Sequence, residues 1–197
     1  MSLTNRASFN NANISTGVAK EVMFENFISQ HSSTFRRVNI EELVTKEQVL
    51  KLAKMYCNQG SDVDGRGNNT LQTLMSALDI EDWRDLEKFL VSQLCDWLFG
   101  IDFLIEVEFE DFKRLISIDL TLNESKVRSK LGKQRSLWKP LQRLGIDTAL
   151  VVLWKNKTFH TKNKATSYRL ASELYFKLEE IELKRTKQVE IDLCILS

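Results

Sequence analysis

The chain has 197 residues, of which 43% are hydrophobic and 28% charged, with a formal net charge of +1. This composition falls in the ordinary globular range, so most of the chain is expected to fold, as one domain with room for an appended helical layer. The near-neutral total predicts no general attraction to polyanions, and no apolar run approaches the roughly 18 residues that cross a bilayer.

In chain order, Met1 to Asn13 are polar and lack the apolar stretch of a secretory signal. Residues 1–15 are therefore expected to be disordered, and the protein to be cytoplasmic. Thr16 to His31 predicts a first helix through Val18, Val22, Phe24, Phe27 and Ile28. Thr45-Lys46-Glu47-Gln48 has the form of a capping box. After it, Val49, Leu52, Ala53 and Tyr56 keep a helical period. Asp62 to Asn68 resembles a calcium loop only superficially, because Thr73 stands where the bidentate Glu is needed and Arg66 replaces an oxygen donor. Leu71, Leu74, Met75 and Leu78 predict a short helix, and Asp82 to Phe99 a longer one that Gly100 ends. Residues 16–99 thus read as a helical layer and 100–197 as the core.

At Gly100 the period changes from 3.6 to 2. Ile101, Phe103, Ile105, Val107 and Phe109 alternate with Asp102, Leu104, Glu106 and Glu108. Ile116, Ile118, Leu120 and Leu122 then alternate with Ser117, Asp119, Thr121 and Asn123. With Glu110-Asp111 as the turn, this is a β-hairpin in which Phe103 faces Ile118 and Ile105 faces Ile116, and only Val107 opposite Arg114 breaks the apolar face. Asn123 to Leu144 reads as a basic helix interrupted at Pro140, Thr148 to Trp154 as a strand buried on both faces, Ala165 to Lys184 as a helix, and Val189 to Leu196 as an edge strand. The helix between hairpin and buried strand is a crossover that lets the strands run parallel. The expected fold is α/β, a mixed β-sheet core with flanking helices and an N-terminal helical layer.

The other face of the hairpin carries the chemistry. It pairs Glu108 with Lys113 and sets Asp102 opposite Asp119, at a separation of roughly 5 Å between Cβ atoms. Two carboxylates that close repel unless one takes up a proton or a cation lies between them. With no His or Cys beside them, oxygen donors suit Mg2+ or Mn2+. The plainer alternative sets each Asp at a solvated strand end.

Lys126, Arg128, Lys130, Lys133, Arg135, Lys139 and Arg143, followed by Lys155, Lys157, Lys162 and Lys164, form a basic stretch with few acids. Such a stretch is either a phosphate-binding surface or a solvated helix face. Trp83, Trp97, Trp138 and Trp154 fit apolar stripes, with Trp138 on the basic helix. Cys57, Cys95 and Cys194 have no disulfide or zinc spacing and read as buried free thiols.

Gly100-Ile101-Asp102, Ile118-Asp119-Leu120-Thr121 and the following Lys126 and Lys130 resemble the PD-(D/E)XK nuclease superfamily over roughly Asp82 to Trp154. The resemblance implies a restriction-endonuclease-like core and Mg2+-dependent (or Mn2+-dependent) DNA endonuclease activity, serving restriction, repair or mobile-element processing. It makes Asp102 and Asp119 the metal ligands. Thr121 occupies the position of the motif lysine, so Lys126 or Lys130 would supply the charge, and Glu21 or Glu25 a further acid. Lys126, Lys130, Lys133, Arg135 and Lys139 would hold DNA phosphates, with a homodimer needed to cut both strands. The alternative function is a catalytically inactive nuclease-like fold serving as a DNA-binding or protein-assembly subunit.

Overall fold

A computed structural model describes residues 11–57, 70–109, 112–155, 164–184 and 191–196, with 11–20 and 164 described by their backbone alone. The calcium-loop resemblance, the turn residues Glu110 and Asp111, and Lys157 and Lys162 lie outside them.

Five strands form one mixed sheet in the order β1 (Phe35–Arg37), β2 (Phe103–Glu108), β3 (Lys113–Thr121), β4 (Thr148–Trp154), β5 (Ile191–Leu196). The first three are antiparallel, and β3, β4 and β5 run parallel. The hairpin register is the expected one, with Phe103 paired to Ile118, Ile105 to Ile116 and Glu108 to Lys113. Val107 does face Arg114, and the guanidinium is accommodated on that face by pairing. It donates two hydrogen bonds to Glu182, at 3.0 and 2.8 Å, and lies 4.2 Å above the Phe112 ring.

Helices cover both faces. On one, α1 (Asn11–Gln30) and α8 (Lys164–Lys184) pack Phe24, Phe27, Ile28, Leu170, Leu174 and Leu178 against Ile105, Ile116, Ile118, Leu120, Leu150 and Val152. His31 ties the two helices together. Ser167 Oγ donates to Gln30 Oε1 at 3.1 Å, so the 2.8 Å contact of Ser167 Oγ with His31 Nε2 uses the ring N–H as donor. The desolvated imidazole is held below its ordinary pKa.

The other face receives α6 (Glu124–Ser136), and a second apolar cluster gathers α2 (Ile40–Leu43), α3 (Lys46–Tyr56), α4 (Thr70–Ala77) and α7 (Trp138–Arg143) around Leu104, Ala149 and Ile146. The Thr45/Gln48 capping box starts α3. Among the described residues no helix is long and apolar enough to cross a membrane.

Four sequence expectations change. The first helix begins at Asn11 rather than Thr16, so 11–15 are helical. Phe35–Arg37, not anticipated as a strand, pairs with β2 and supplies the strand before Asp102. The helix expected over Asp82 to Phe99 is three segments: a 3-10 turn, Trp83–Lys88, then α5 (Val91–Leu94), then a π-helical turn, Cys95–Phe99. Phe89 and Leu90 adopt extended backbone, and Gln93 accepts from the Leu90 N–H to begin a new helix. The basic helix breaks at Leu137, between α6 and α7. Pro140 has no N–H to give the carbonyl of Ser136, and its ring crowds that carbonyl, so the break falls one turn ahead of the proline.

Candidate functional site

The site forms where the π-helical turn, the start of β2, the C-terminal half of β3 and the inner side of α6 meet. The turn ends on Gly100 at φ +69, which donates its N–H to Asp96 O at 2.9 Å. A left-handed residue is needed there because the chain reverses into β2 within two residues. Any side chain would also collide: a Cβ on Gly100 would lie 3.0 Å from Gln134 Nε2 and 3.1 Å from Asp119 Oδ2.

Asp102 and Asp119 come together as the register demands. The Asp102 N–H donates to Ile118 O at 2.9 Å, and its Oδ2 accepts from the Leu120 N–H at 2.6 Å. That clamp fixes the carboxylate against β3 beside Asp119. Asp119 is only 2% exposed. Its Oδ1 accepts from the Lys130 ammonium, and Gln134 Nε2 stands 3.5 Å from its Oδ2. Burial raises the Asp119 pKa, opposed by Lys130 and reinforced by Asp102. Burial alone would lower the Lys130 pKa, but the charges of Asp119, Asp102 and Asp96 outweigh it and hold the ammonium above its ordinary range.

Two further groups complete the arrangement. Asp96, in the π-helical turn, is pushed up to about 7 by burial and then by the charges of Asp102 and Glu21, with a hydrogen bond to Asp102 acting in the same direction. Lys133 donates to Trp97 O at 3.2 Å, and burial draws its pKa down. Gln134, 1% exposed, donates to the carbonyls of Phe99 and Gly100 at 3.2 and 3.0 Å and so bolts α6 to the turn.

Of the residues expected from sequence, Asp102, Asp119 and Lys130 converge. Lys126 is exposed on the first turn of α6. Thr121 is 5% exposed, but its hydroxyl accepts from the Asn123 N–H at 3.2 Å and contacts Asn123 O at 3.3 Å, and Asn123 in turn caps α6. Thr121 therefore shapes the turn that aims the helix. Lys133, expected on a phosphate-binding surface, turns inward. Arg135 and Lys139 are exposed, and Arg135 lines a groove of about 290 Å³ between α6 and β5 with Val127, Leu131, Leu193 and Ile195. Glu21 lies within electrostatic reach of Asp96, whereas Glu25 pairs with Arg37. Asp96 and Gln134 were missed. The available signal for Asp96 was a lone carboxylate inside the apolar run Leu94-Cys95-Asp96-Trp97-Leu98-Phe99.

Among the described residues, no three His, Cys, Asp or Glu side chains gather closely enough to hold an ion by themselves. The Asp102/Asp119 pair nevertheless fits a hard divalent cation, since Mg2+ binds through one or two carboxylates and retains several waters. The donors at the site are oxygens, and the ammonium of Lys130 already marks the cluster as a place where positive charge is stabilised. Compared with protein-family models, with curated proteins and with solved structures, the chain finds no match in any of the three.

Proposed function

We propose that this chain is a metal-dependent endonuclease with a restriction-endonuclease-like core, hydrolysing phosphodiester bonds of DNA, and that Asp102 and Asp119 are its metal ligands. The observation that carries the reading is the ion pair between buried Asp119 on β3 and Lys130 on the helix that follows it. That pair places an acid and a cationic group side by side, with a second acid, Asp102, across the strand pair.

Mg2+, when bound, would polarise the phosphate and lower the pKa of a coordinated water. The chain's own groups divide the remaining work. Asp102, clamped to the Leu120 N–H, and Asp119, braced by Gln134, hold oxygen donors in a fixed geometry. Lys130 neutralises negative charge that develops on the phosphate oxygens, in place of the motif lysine whose position Thr121 occupies. Lys126, Arg135 and Lys139, exposed on α6 and α7, would meet backbone phosphates. Restriction, repair or mobile-element processing are the settings such an enzyme serves.

A second reading, a nuclease-like fold without cleavage that binds DNA or assembles with protein, is favoured by Thr121: its hydroxyl is engaged with Asn123 and β3 carries no lysine beside Asp119. One experiment separates them. Purified protein is incubated with supercoiled and linear DNA in Mg2+, Mn2+ or EDTA, with Asp119→Ala and Asp102→Ala alongside. Metal-dependent cleavage lost in both variants supports the enzyme. DNA binding that survives both changes, with no cleavage by the parent in any metal, supports the second reading.

A further inference from the structure

The two edges of the sheet differ. β1 is three residues long and carries Arg36 and Arg37, the short, charged form of edge that resists further strand pairing. β5 is six residues long, Ile191-Asp192-Leu193-Cys194-Ile195-Leu196, and its one charge, Asp192, is held by Lys177 at 2.7 Å. Leu196 C=O accepts from the Lys155 N–H, just past the end of β4, at 2.9 Å. Backbone groups alternate in direction along a strand, so those of Leu193 and Ile195 point away from β4, toward the open edge. Asp192 Oδ1 takes the Leu193 N–H at 2.7 Å. The Leu193 C=O and both backbone groups of Ile195 have no partner among the described residues.

The same two residues floor the groove beside α6. Leu193 and Ile195, the latter 44% exposed, line it with Val127 and Leu131 of α6 and Leu153 of β4. Arg128 and Arg135 line its α6 side, exposed and without an ion pair among the described residues. Glu124, also in the lining, is matched by Lys155 at 3.5 Å. We infer that this edge is a docking site for an extended acidic segment of another protein. The segment adds as a sixth strand beside β5, seats apolar side chains in the groove and gives carboxylates to Arg128 and Arg135. In this mode main-chain hydrogen bonds supply affinity, and alternate side chains supply specificity. Charge decides the occupant. Two copies joined edge to edge through β5 would be related by a two-fold axis normal to the sheet, with both α6 helices on one side of it. Four unmatched arginines would then share one seam, and like charges there repel. DNA phosphates would satisfy the arginines but leave the apolar floor and the open backbone groups unmet. A carboxylate-bearing strand answers all three, and the inference holds whether or not the chain cleaves DNA.

The test is selection of a random peptide library, displayed on phage, against the full chain and in parallel against Arg128→Glu/Arg135→Glu. Both substitutions are at exposed positions, and an unchanged circular-dichroism spectrum checks the fold. The parent should enrich peptides that mix Asp or Glu with apolar residues, and the charge-reversed chain should enrich Lys or Arg in their place. Synthetic copies of the parent's peptides, followed by fluorescence anisotropy, should bind the charge-reversed chain at least about ten-fold more weakly. They should also lose binding to Ile195→Lys. N-methylation at alternate residues should abolish binding in one register, where the N–H groups face β5, and spare it in the other. Acidic peptides that bind the charge-reversed chain equally well would overturn the proposal, as would peptides indifferent to N-methylation in both registers. A library that yields no peptide dependent on Ile195 would overturn it too, and so would a concentration-dependent dimer of the free chain that Ile195→Lys abolishes, which would give the edge to a second copy.

Discussion

The two faces of β3 are equally dry and opposite in chemistry. Toward α1 and α8 the strand presents Ile116, Ile118 and Leu120, each no more than 1% exposed; toward α6 it presents Ser117, Asp119 and Thr121, at 1%, 2% and 5%. The apolar face stabilises the fold in proportion to the area it removes from water. The polar face works against it, because buried polar groups cost free energy unless they are paired. Pairing there is incomplete: Ser117 Oγ and Gln134 Oε1 are buried without a hydrogen-bond partner among the described residues. Filling that face with Val or Ile would have made a better core, so the difference teaches that it is organised around the charge of Asp119 rather than around packing.

The sharpest way to break the contrast is to remove one charge and leave the other. Lys130→Met strands Asp119 in the interior and should cost about 3–5 kcal/mol at neutral pH by chemical denaturation. The loss should shrink toward pH 4 as the stranded carboxylate takes up a proton. Next in size is the pH dependence set by Asp96. Its folded-state pKa of about 7 lies above the ordinary carboxylate value, so the native state holds more protons than the unfolded state between roughly pH 4 and 7. This contribution to stability is complete at low pH and declines as pH rises through that window. Asp96→Asn should remove the decline, which thermal melts across pH 4 to 8 would reveal; an unchanged slope would show that Asp96 ionises freely.

Smaller effects sharpen the comparison. Gly100→Ala forces an L side chain into the left-handed region, at about 1–2 kcal/mol. It also presses on Asp119 and Gln134, so DNA cleavage should fall further than stability does. Smallest is a pair of neighbours on opposite faces. Ile118→Val should cost about 0.5–1.5 kcal/mol, whereas Ser117→Ala removes an unpartnered hydroxyl and should be neutral or mildly stabilising. Equal losses at the two positions would mean the faces are energetically alike.

Much of this was legible in the sequence, for identifiable reasons. A period of two, a charge pair at Glu108/Lys113 and apolar partners from Phe103/Ile118 to Ile105/Ile116 admit one register, and that register brings Asp102 to Asp119. The crossover to a buried parallel β4 was legible from the continuous apolar run Thr148 to Trp154. The strand β1 was not, because three residues, Phe35-Arg36-Arg37, are too few to show a period. Asp96 escaped because its direction depends on a π-helical turn, where one extra residue per turn moves every side chain off the face that a 3.6 period assigns. Choosing between Lys126 and Lys130 was equally out of reach: both lie on one nominal helix face, and only the position of α6 over β3 shows that the second reaches the buried carboxylate while the first stays in solvent.

The central claim is that the polar face of β3 is kept for metal-dependent cleavage of DNA. Its most direct test is the paired replacement Asp119→Asn with Lys130→Met, which removes both charges together and so avoids a stranded ion. Cleavage of supercoiled DNA in Mg2+ and Mn2+ would be followed beside the melting temperature of parent and variant. The account predicts a parent that nicks or cuts only with metal, and a folded variant that does neither. A variant that cleaves like the parent, or a parent inert with either metal, would contradict it.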